Sequence, residues 1–489
     1  MGKHSLKTLQ DIKNYIKSVD SVYYFISASN FNLMMMSDWV NNWFDVNFID
    51  CYDKKNDRVI LPEYEENPDY NNIEGINQFL LGNKKIVEHI RSQTSDGKPG
   101  KSLFLFYDQM VEELVASLGL ELIMPPNKVV KQIDNKITTT EIGNSVNVPS
   151  VPNALVKIEN YERLQSIIKE YNLGDEVVIQ TAYGDSGKTT YFISDHMDYQ
   201  NVREKIEIDE RIKVMKRVNC LQVAIEACAT KNGTYVGPIL TEIIGHPGLT
   251  PYNGGWCGND VNPDAFSESI QKTMFQYTQR LGEALLKRGY RGYFEVDYLI
   301  DADSSEDLVY LGEINPRITG ISALTNMSGF CNETIPLFVF HMLEYANVDF
   351  SIDPKQFNEQ VLQSRHKPFG QLIFKSTETD LKILTQIPVT GIYNIKNNQL
   401  EFTKYANNPK DMGVDDIFIL RIVKNGDFIY KGADLLIVFA NHLMQDNKKQ
   451  LTAQAESLMR VIQSSIKHRD LTKEEQQSMQ RYAGHASVK

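Results

Sequence analysis

The chain has 489 residues and five cysteines, and no two of the cysteines form a Cys-x-x-Cys pair. Cys51, Cys220, Cys228, Cys257 and Cys331 are irregularly spaced, which argues against a zinc ribbon and gives no disulfide framework, so a reduced, cytoplasmic protein is expected. Apolar runs are short. The longest, Ile335-Pro-Leu-Phe-Val-Phe and Leu435-Leu-Ile-Val-Phe-Ala, fall far below the ~18 to 20 residues of a membrane span. The opening Met1-Gly-Lys-His-Ser-Leu lacks the apolar stretch of a signal peptide, and Leu6 stands where a myristoylation signal has Ser or Thr. An excess of positive charge is also missing. Lys plus Arg is 51 against 63 for Asp plus Glu, a net charge of −12, which offers no footprint for nucleic acid, so neither nucleic acid nor a membrane is expected as partner. Finally, the first strand-like segment runs into Ser27-Ala-Ser-Asn-Phe-Asn rather than G-x-G-x-x-G, which leaves a dinucleotide cofactor unsupported.

What is present suggests about three domains, at ~150 residues each. Residues 1–126 alternate strand-like and helix-like segments: strand 21–29, helix 33–44, strand 45–50, strand 102–107, helix 108–118 and strand 121–124, closed by Pro125-Pro126. This is the rhythm of an open α/β domain. After residue 345 the pattern changes to short strands at 371–376, 389–395, 400–405, 416–423 and 427–430, then a helix over 447–467 and a polar tail.

The chemistry concentrates between these two parts. Tyr290-Arg-Gly-Tyr-Phe-Glu-Val-Asp297-Tyr-Leu-Ile and Leu308-Val-Tyr-Leu-Gly-Glu313-Ile are apolar, aromatic and β-branched, and the polar stretch between them has turn chemistry, so an antiparallel hairpin is expected. Side chains alternate along a strand, so a register that aligns the two faces brings together Asp297, Glu313 and Asn315. Two carboxylates and an amide oxygen suit a hard cation such as Mg²⁺. Arg317 follows two residues later, beside a negatively charged reacting group. Spacing alone fits equally well an acidic strand edge with a solvated arginine.

Gln180-Thr-Ala-Tyr-Gly184-Asp-Ser-Gly187-Lys188-Thr189 looks like a phosphate loop that opens a helix, but Ala182 occupies the place of its first glycine, and Thr-Thr-Tyr-Phe-Ile after it has strand character. Strands 176–181 and 189–194 around a glycine-bearing tip make a β-hairpin flap instead, whose backbone amides suit phosphate. The segment His246 to Asp260, rich in glycine and aromatics, reads either as a substrate-contacting loop or as a rigid glycine turn holding a core tryptophan. Nothing in the spacing supplies a histidine to activate Cys257 as a nucleophile.

Glu313-Ile-Asn315-Pro-Arg317, with Asp297 at hairpin distance before it, closely resembles the metal-binding strand of ATP-grasp enzymes. It is most similar to the Glu-x-Asn-Pro-Arg run of carbamoyl phosphate synthetase and the Glu-x-Asn-x-Arg run of biotin carboxylase. The resemblance implies an open α/β N-terminal domain at 1–126, an ATP-grasp module at 127–345 with its flap at about 176–194, and a small β-rich C-terminal domain at 346–489. It also implies ATP and Mg²⁺ as cofactors, with Mn²⁺ as an alternative. Lys136, in Ile-Asp-Asn-Lys136, takes the place of the lysine that reaches the nucleotide's phosphates, although a lysine on a helix is more often simply solvated. Gly184, Gly187 and Lys188 form the phosphate cover. Family members carry a second phosphate-binding lysine where this chain has Gln180; either Lys188 reaches back in its place or the nucleotide is held more weakly before closure. Lys216, Arg217 and Val218 resemble the hinge whose backbone reads the purine, with an ordinary strand connection as the other reading.

The expected reaction is phosphorylation of a substrate carboxylate, followed by attack of a nucleophile on the acyl phosphate, with Arg317 as the cation for the oxyanion. Biotin carboxylase has a glutamate four positions beyond the arginine, where this chain has Ile321, and no Ala-Met-Lys-Met biotin site occurs. The resemblance therefore implies a carboxylate–amine ligase acting on amino acids or short peptides, with a homodimer compatible. A bicarbonate-using carboxylase or carbamoyl-phosphate-type enzyme, and an ATP-binding regulator without turnover, are the two other readings.

Overall fold

The computed structural model describes residues 5–63, 72–93, 99–184, 189–304, 306–331, 334–364, 367–446 and 449–476. The chain divides into two compact units. One is drawn from 1–48, 57–242 and 261–367, the other from 49–56, 243–260 and 368–489. Among the described residues, no helix is long and apolar enough to cross a membrane.

The first unit opens with a parallel sheet of β1 (Tyr23–Ser27), β2 (Trp43–Asn47), β3 (Val59–Ile60), β4 (Lys101–Phe104) and β5 (Glu121–Leu122), in the order β3-β2-β1-β4-β5. All five residues of β1, Tyr-Tyr-Phe-Ile-Ser, are buried, as expected of a parallel strand covered on both faces. The helix expected over 33–44 is not continuous. A 3₁₀ turn at Phe31–Leu33 and a single helical turn at Met36–Trp39 replace it, because Met35 sits between them at φ 76°, a left-handed conformation that ends any α-helix. β2 then starts at Trp43, two residues ahead of the expected position.

β6 (Asn153–Val156), β7 (Val177–Gln180), β8 (Thr190–Ile193) and β9 (Ile212–Lys216) form an antiparallel sheet in the order β6-β9-β7-β8. Ile179 and Val214 on one face pack against Leu164, Ile167, Tyr199 and Ile206 of two covering helices. β7 and β8 are the two arms of the expected flap. Thr190–Ile193 is a strand rather than a helix, so the phosphate-loop reading is set aside on geometry.

A longer antiparallel sheet follows. It contains β10 (Cys220–Thr230), β11 (Gly233–Ile244), β12 (Gly292–Asp301) and β13 (Val309–Asn315), with neighbours β13-β12-β10-β11. The helix Glu268–Lys287, capped by the Ser267 hydroxyl on the Ile270 amide, lies so close to this sheet that a Cβ on Gly282 would come within 2.2 Å of the Thr234 hydroxyl. Tyr235 stacks on Phe340 with centroids 3.7 Å apart. Buried His341 accepts the Tyr293 amide on Nδ1 at 3.0 Å and meets the Ile123 carbonyl through Nε2 at 2.7 Å. Burial lowers its pKa to about 4, so the ring is neutral and Nε2 holds the proton.

In the second unit the strands Trp256–Val261, Phe369–Lys375, Asp434–Ala440, Asp416–Arg421, Gly391–Lys396 and Gln399–Lys404 are successive neighbours. The helix Ala453–Ser465 buries Leu458 and Ile462 in the same core as Leu372, Leu436 and Val438. The expected loop over 246–260 thus ends in a strand, because Asp260 fixes it by accepting the amides of Met444 and Gln445 at 2.7 and 2.9 Å. The short segment 49–56 completes the unit. Arg421 pairs with Asp53 at 2.5 Å, and Thr390 donates to the Cys51 carbonyl.

Candidate functional site

The β12–β13 hairpin sets Asp297 directly opposite Glu313 and Glu295 opposite Asn315. Opposed residues of an antiparallel pair share a face, so all four side chains project together, as the alternation in the sequence required. The register slips after Asp297, where Tyr298 pairs with Leu311 and Gly312 is passed over. Such bulges re-aim the side chains beside them. A Cβ on Gly312 would also stand 3.0 Å from the Asp297 carbonyl oxygen, which favours glycine there.

β10 extends the acidic face, since Glu226 pairs with Glu295 and Ala224 with Asp297. Burial, with Glu295 and other neighbouring carboxylates adding to it, holds the Asp297 carboxyl well above the usual range. Glu295 is raised in the same way, by burial and then by Glu226 and Glu242. Burial also lifts Glu226 and Glu242 to about 7, the latter with help from Glu313. Glu226 is caged by hydroxyls: Tyr293 donates to it at 2.5 Å and Thr319 at 3.0 Å, and Ser322 donates as well. Thr319 and Ser322 follow Arg317 closely, so this buried acid fixes the backbone that presents the arginine.

Glu313 behaves differently. Burial pushes its carboxyl up, but Lys136, by charge and by hydrogen bond, more than offsets that and leaves it below its ordinary value. Lys136 is the first residue of the helix Lys136–Ser145, whose start is set by the Asn135 side chain accepting the amides of Ile137 and Thr138 at 2.9 and 3.1 Å. Its Nζ pairs with Glu313 and donates to the Gly184 carbonyl at 3.2 Å, and its amide donates to Ala182 at 2.9 Å. The foot of the flap and the hairpin carboxylates are thereby joined through one lysine. Gly184 adopts φ +150° against the Thr189 side chain, a backbone that disfavours any other residue.

Arg317 Nη1 lies 3.2 Å from both oxygens of Asp134, and its guanidinium carbon is 4.9 Å from the Phe106 ring centroid. Gln180 links β7 to β8 by donating from Nε2 to Thr190 Oγ1 at 3.2 Å. Lys216 is the last residue of β9, and Arg217 and Val218 lie in the connection that leads to β10. There the amides of Lys216 and Arg217 are bound to the carbonyls of Pro152 and Glu176. Gly187 and Lys188 lie outside the described residues.

A hard cation fits this donor set. Asp297 Oδ1 is buried and, among the described residues, has no hydrogen-bond partner, while Oδ2 holds the Asn315 amide at 3.1 Å. Among the described residues, no group of three or more His, Cys, Asp or Glu stands at metal-holding separation. A cation here would thus draw on Asp297, Glu313, the Asn315 oxygen and oxygens of water or a bound substrate, which is how Mg²⁺ is commonly bound. A cavity of about 590 Å³ beside the flap, lined by Asn135, Thr138, Glu141, Thr181, Tyr183 and Arg211 among others, includes none of these ligands.

Residues of this site that the sequence reading passed over are Asp134, Lys213, Glu226 and Glu242. A charge set inside an apolar strand, as in Ile-Lys213-Val-Met or Val-Ala-Ile-Glu226-Ala, was the available signal. Cys257 takes no part: it is buried, its thiol is pushed up to about 11, and its sulfur meets the Ile243 carbonyl.

No family model matches the chain. Among characterised proteins it is 23% identical over 207 residues to the carbamoyl phosphate synthase large chain of Methanothermobacter thermautotrophicus, covering 42% of this chain and 18% of that one. It is 24% identical over 265 residues to a carbamoyl-phosphate synthase of Methanobrevibacter smithii, covering 54% and 66%. It is also 23% identical over 353 residues to the [butirosin acyl-carrier protein]–L-glutamate ligase of Niallia circulans, covering 68% and 72%. The chain thus spans about a fifth and about two thirds of the two synthases. Similar solved structures include biotin carboxylase from Campylobacter jejuni, with TM-score 0.59, 11% identity and coverage of 94% of both chains. The biotin carboxylase domain of Hydrogenobacter thermophilus 2-oxoglutarate carboxylase, in complex with MgADP and bicarbonate, gives 0.58, 12%, and 92% and 91%. An ADP complex of N5-carboxyaminoimidazole ribonucleotide synthetase gives 0.54, 14%, and 91% and 98%.

Proposed function

We propose that this chain, a protein of the ATP-grasp fold, is an ADP-forming ligase that joins a carboxylate to an amine. In the first step a substrate carboxylate oxygen bonds to the γ-phosphorus of ATP and ADP leaves. In the second, the amine nitrogen bonds to the acyl carbon, phosphate leaves, and the nitrogen gives up a proton. Bound Mg²⁺ supplies positive charge to the phosphates. Asp297, Glu313 and Asn315 hold that ion; Lys136 orients the phosphates; Gly184, Gly187 and Lys188 cover them; Gln180 braces the flap; and Lys216, Arg217 and Val218 flank the base. Arg317, held by Asp134 and beside Phe106, stabilises the oxyanion of the tetrahedral intermediate. The module boundaries at 126/127 and 345/346 belong to the same reading.

The observation that carries the choice of an amine is Ile321. At the position where biotin carboxylase holds its base, this side chain is apolar and only 2% exposed, so it has no means of activating bicarbonate. The similarity to a glutamate ligase over 72% of that protein supports the same choice. Small amino acids or peptides are the substrate class, and a homodimer is compatible with it. Bicarbonate is the second reading, favoured by the solved neighbours. Release of ADP from Mg·ATP is to be followed across amino acids, short peptides and bicarbonate, with mass spectrometry of the product. Amine-dependent ADP release with a dehydrative adduct is expected; release that needs bicarbonate and no amine overturns it.

A further inference from the structure

The resemblance to ATP-grasp enzymes implies a phosphate-binding lysine on the strand that enters the flap, where this chain has Gln180. The strand alongside carries a lysine. β7 and β9 pair antiparallel with Gln180 directly opposite Lys213, so both side chains leave the same face of the sheet at adjacent positions. That face is the one bearing Val178 and Met215, which pack with Val218, Leu299 and Tyr310 rather than with the covering helices. Lys213 therefore projects to the side where β12, β13 and the hinge lie.

Lys213 is only 1% exposed. Lysine is rarely buried without a partner, because an ammonium loses its hydration there. Glu313 and Lys136 are the charged neighbours that act on it. Lys136 already occupies Glu313 with an ion pair and a hydrogen bond. Among the described residues no acceptor hydrogen-bonds the Lys213 ammonium. Glu313 is thus the opposite charge that both lysines feel, and its ion pair is with Lys136. The surplus is a positive charge in a low-dielectric wall, beside the carboxylates that would hold a nucleotide's metal.

We propose that Lys213 is the second phosphate-binding lysine of this protein, its charge moved one strand across from position 180. A polyphosphate chain is the anion that such a site takes, since it satisfies Lys136 and Lys213 together when a cation claims Glu313. This rests on the nucleotide reading above. It also makes Lys188 unnecessary as a replacement for the lysine that the resemblance implies at position 180.

The test is equilibrium binding of Mg·ATP and of adenosine to the full chain. Lys213→Met is expected to weaken Mg·ATP by about ten-fold to a hundred-fold, the range of a hydrogen bond to a charged group, and to leave adenosine unchanged. The exchange Lys213→Met with Gln180→Lys, which returns the charge to β7, is expected to regain most of the loss. No loss in Lys213→Met, an equal loss for adenosine, or a loss confined to Lys188→Ala overturns the assignment. Should Lys213→Met not fold, the wild-type protein labelled with ¹⁵N at lysine Nζ gives the answer. The Lys213 ammonium resonance shifts on adding Mg·ATP and not on adding adenosine, and an unmoved resonance overturns it. A wild-type protein that binds no Mg·ATP refutes the nucleotide reading itself, a result distinct from any of these.

Discussion

Lys136 and Glu313, 177 residues apart in the chain, are ion-paired across the base of the flap. The same carboxylate is a proposed metal ligand, so the pair and the metal compete for it. Lys136→Met should therefore raise the affinity of the nucleotide-free protein for Mn²⁺, on the order of a few-fold, and lower that for Mg·ATP. Calorimetric titration with each reads both; a parallel loss of the two would show that the lysine only supports the fold.

Arg317 meets both oxygens of Asp134 through Nη1, and its guanidinium carbon lies 4.9 Å from the Phe106 ring centroid; a lysine ammonium lacks the delocalised guanidinium that stacks on an aromatic ring. Arg317→Ala and Arg317→Lys should both cut turnover by about a hundred-fold or more, as loss of an oxyanion donor does, with Mg·ATP binding nearly unchanged. Asp134→Asn, which loosens the guanidinium without removing it, should fall between them and wild type. Steady-state ADP release beside direct nucleotide binding separates the effects, and wild-type turnover in Arg317→Ala would falsify its role.

Asp45 lies in the parallel sheet, 4% exposed, and accepts from Asn30 at 3.0 Å and Trp43 Nε1 at 2.9 Å. Burial raises its pKa to about 7 despite both donors. Between about pH 4 and pH 7 the folded protein then holds a proton that the unfolded chain has released, so stability falls as pH rises through that window. Asp260, Glu226 and Glu242 act with the same sign. Asp45→Asn should remove at least about 1 kcal/mol of the decline between pH 5 and pH 7. Thermal melts of the two proteins across that range measure it, and parallel curves would contradict it.

Burial pushes the Cys51 thiol to about 12, Cys257 to about 11 and Cys228 well above its usual value. Thiolate is the reactive form, so iodoacetamide at pH 7.5 should leave all three unlabelled in the native protein and label them in urea, as read by peptide mass spectrometry. Cys257→Ser should retain turnover within about two-fold.

The hairpin and its four-residue face were legible in the sequence because strand alternation alone places Asp297, Glu313 and Asn315 together once the register is right. The flap arms were legible for the same reason. Lys213 was not, because its meaning depends on which strand lies beside Gln180, and β9 reaches that place only after 32 intervening residues. The parts that misled were local. Met35 broke a helix that its neighbours favoured, and the glycine-rich run at 254–258 hid a strand whose anchor, Asp260, meets amides 184 and 185 residues away.

The second unit is assembled from 49–56, 243–260 and 368–489. During synthesis its first piece leaves the ribosome long before the partners that hold it, Thr390 and Arg421, exist. At ordinary translation rates that wait is on the order of tens of seconds to a minute. Cys51, buried in the folded chain, thus gains the hydrogen bond from Thr390 to its carbonyl only when a residue 339 positions later has been made.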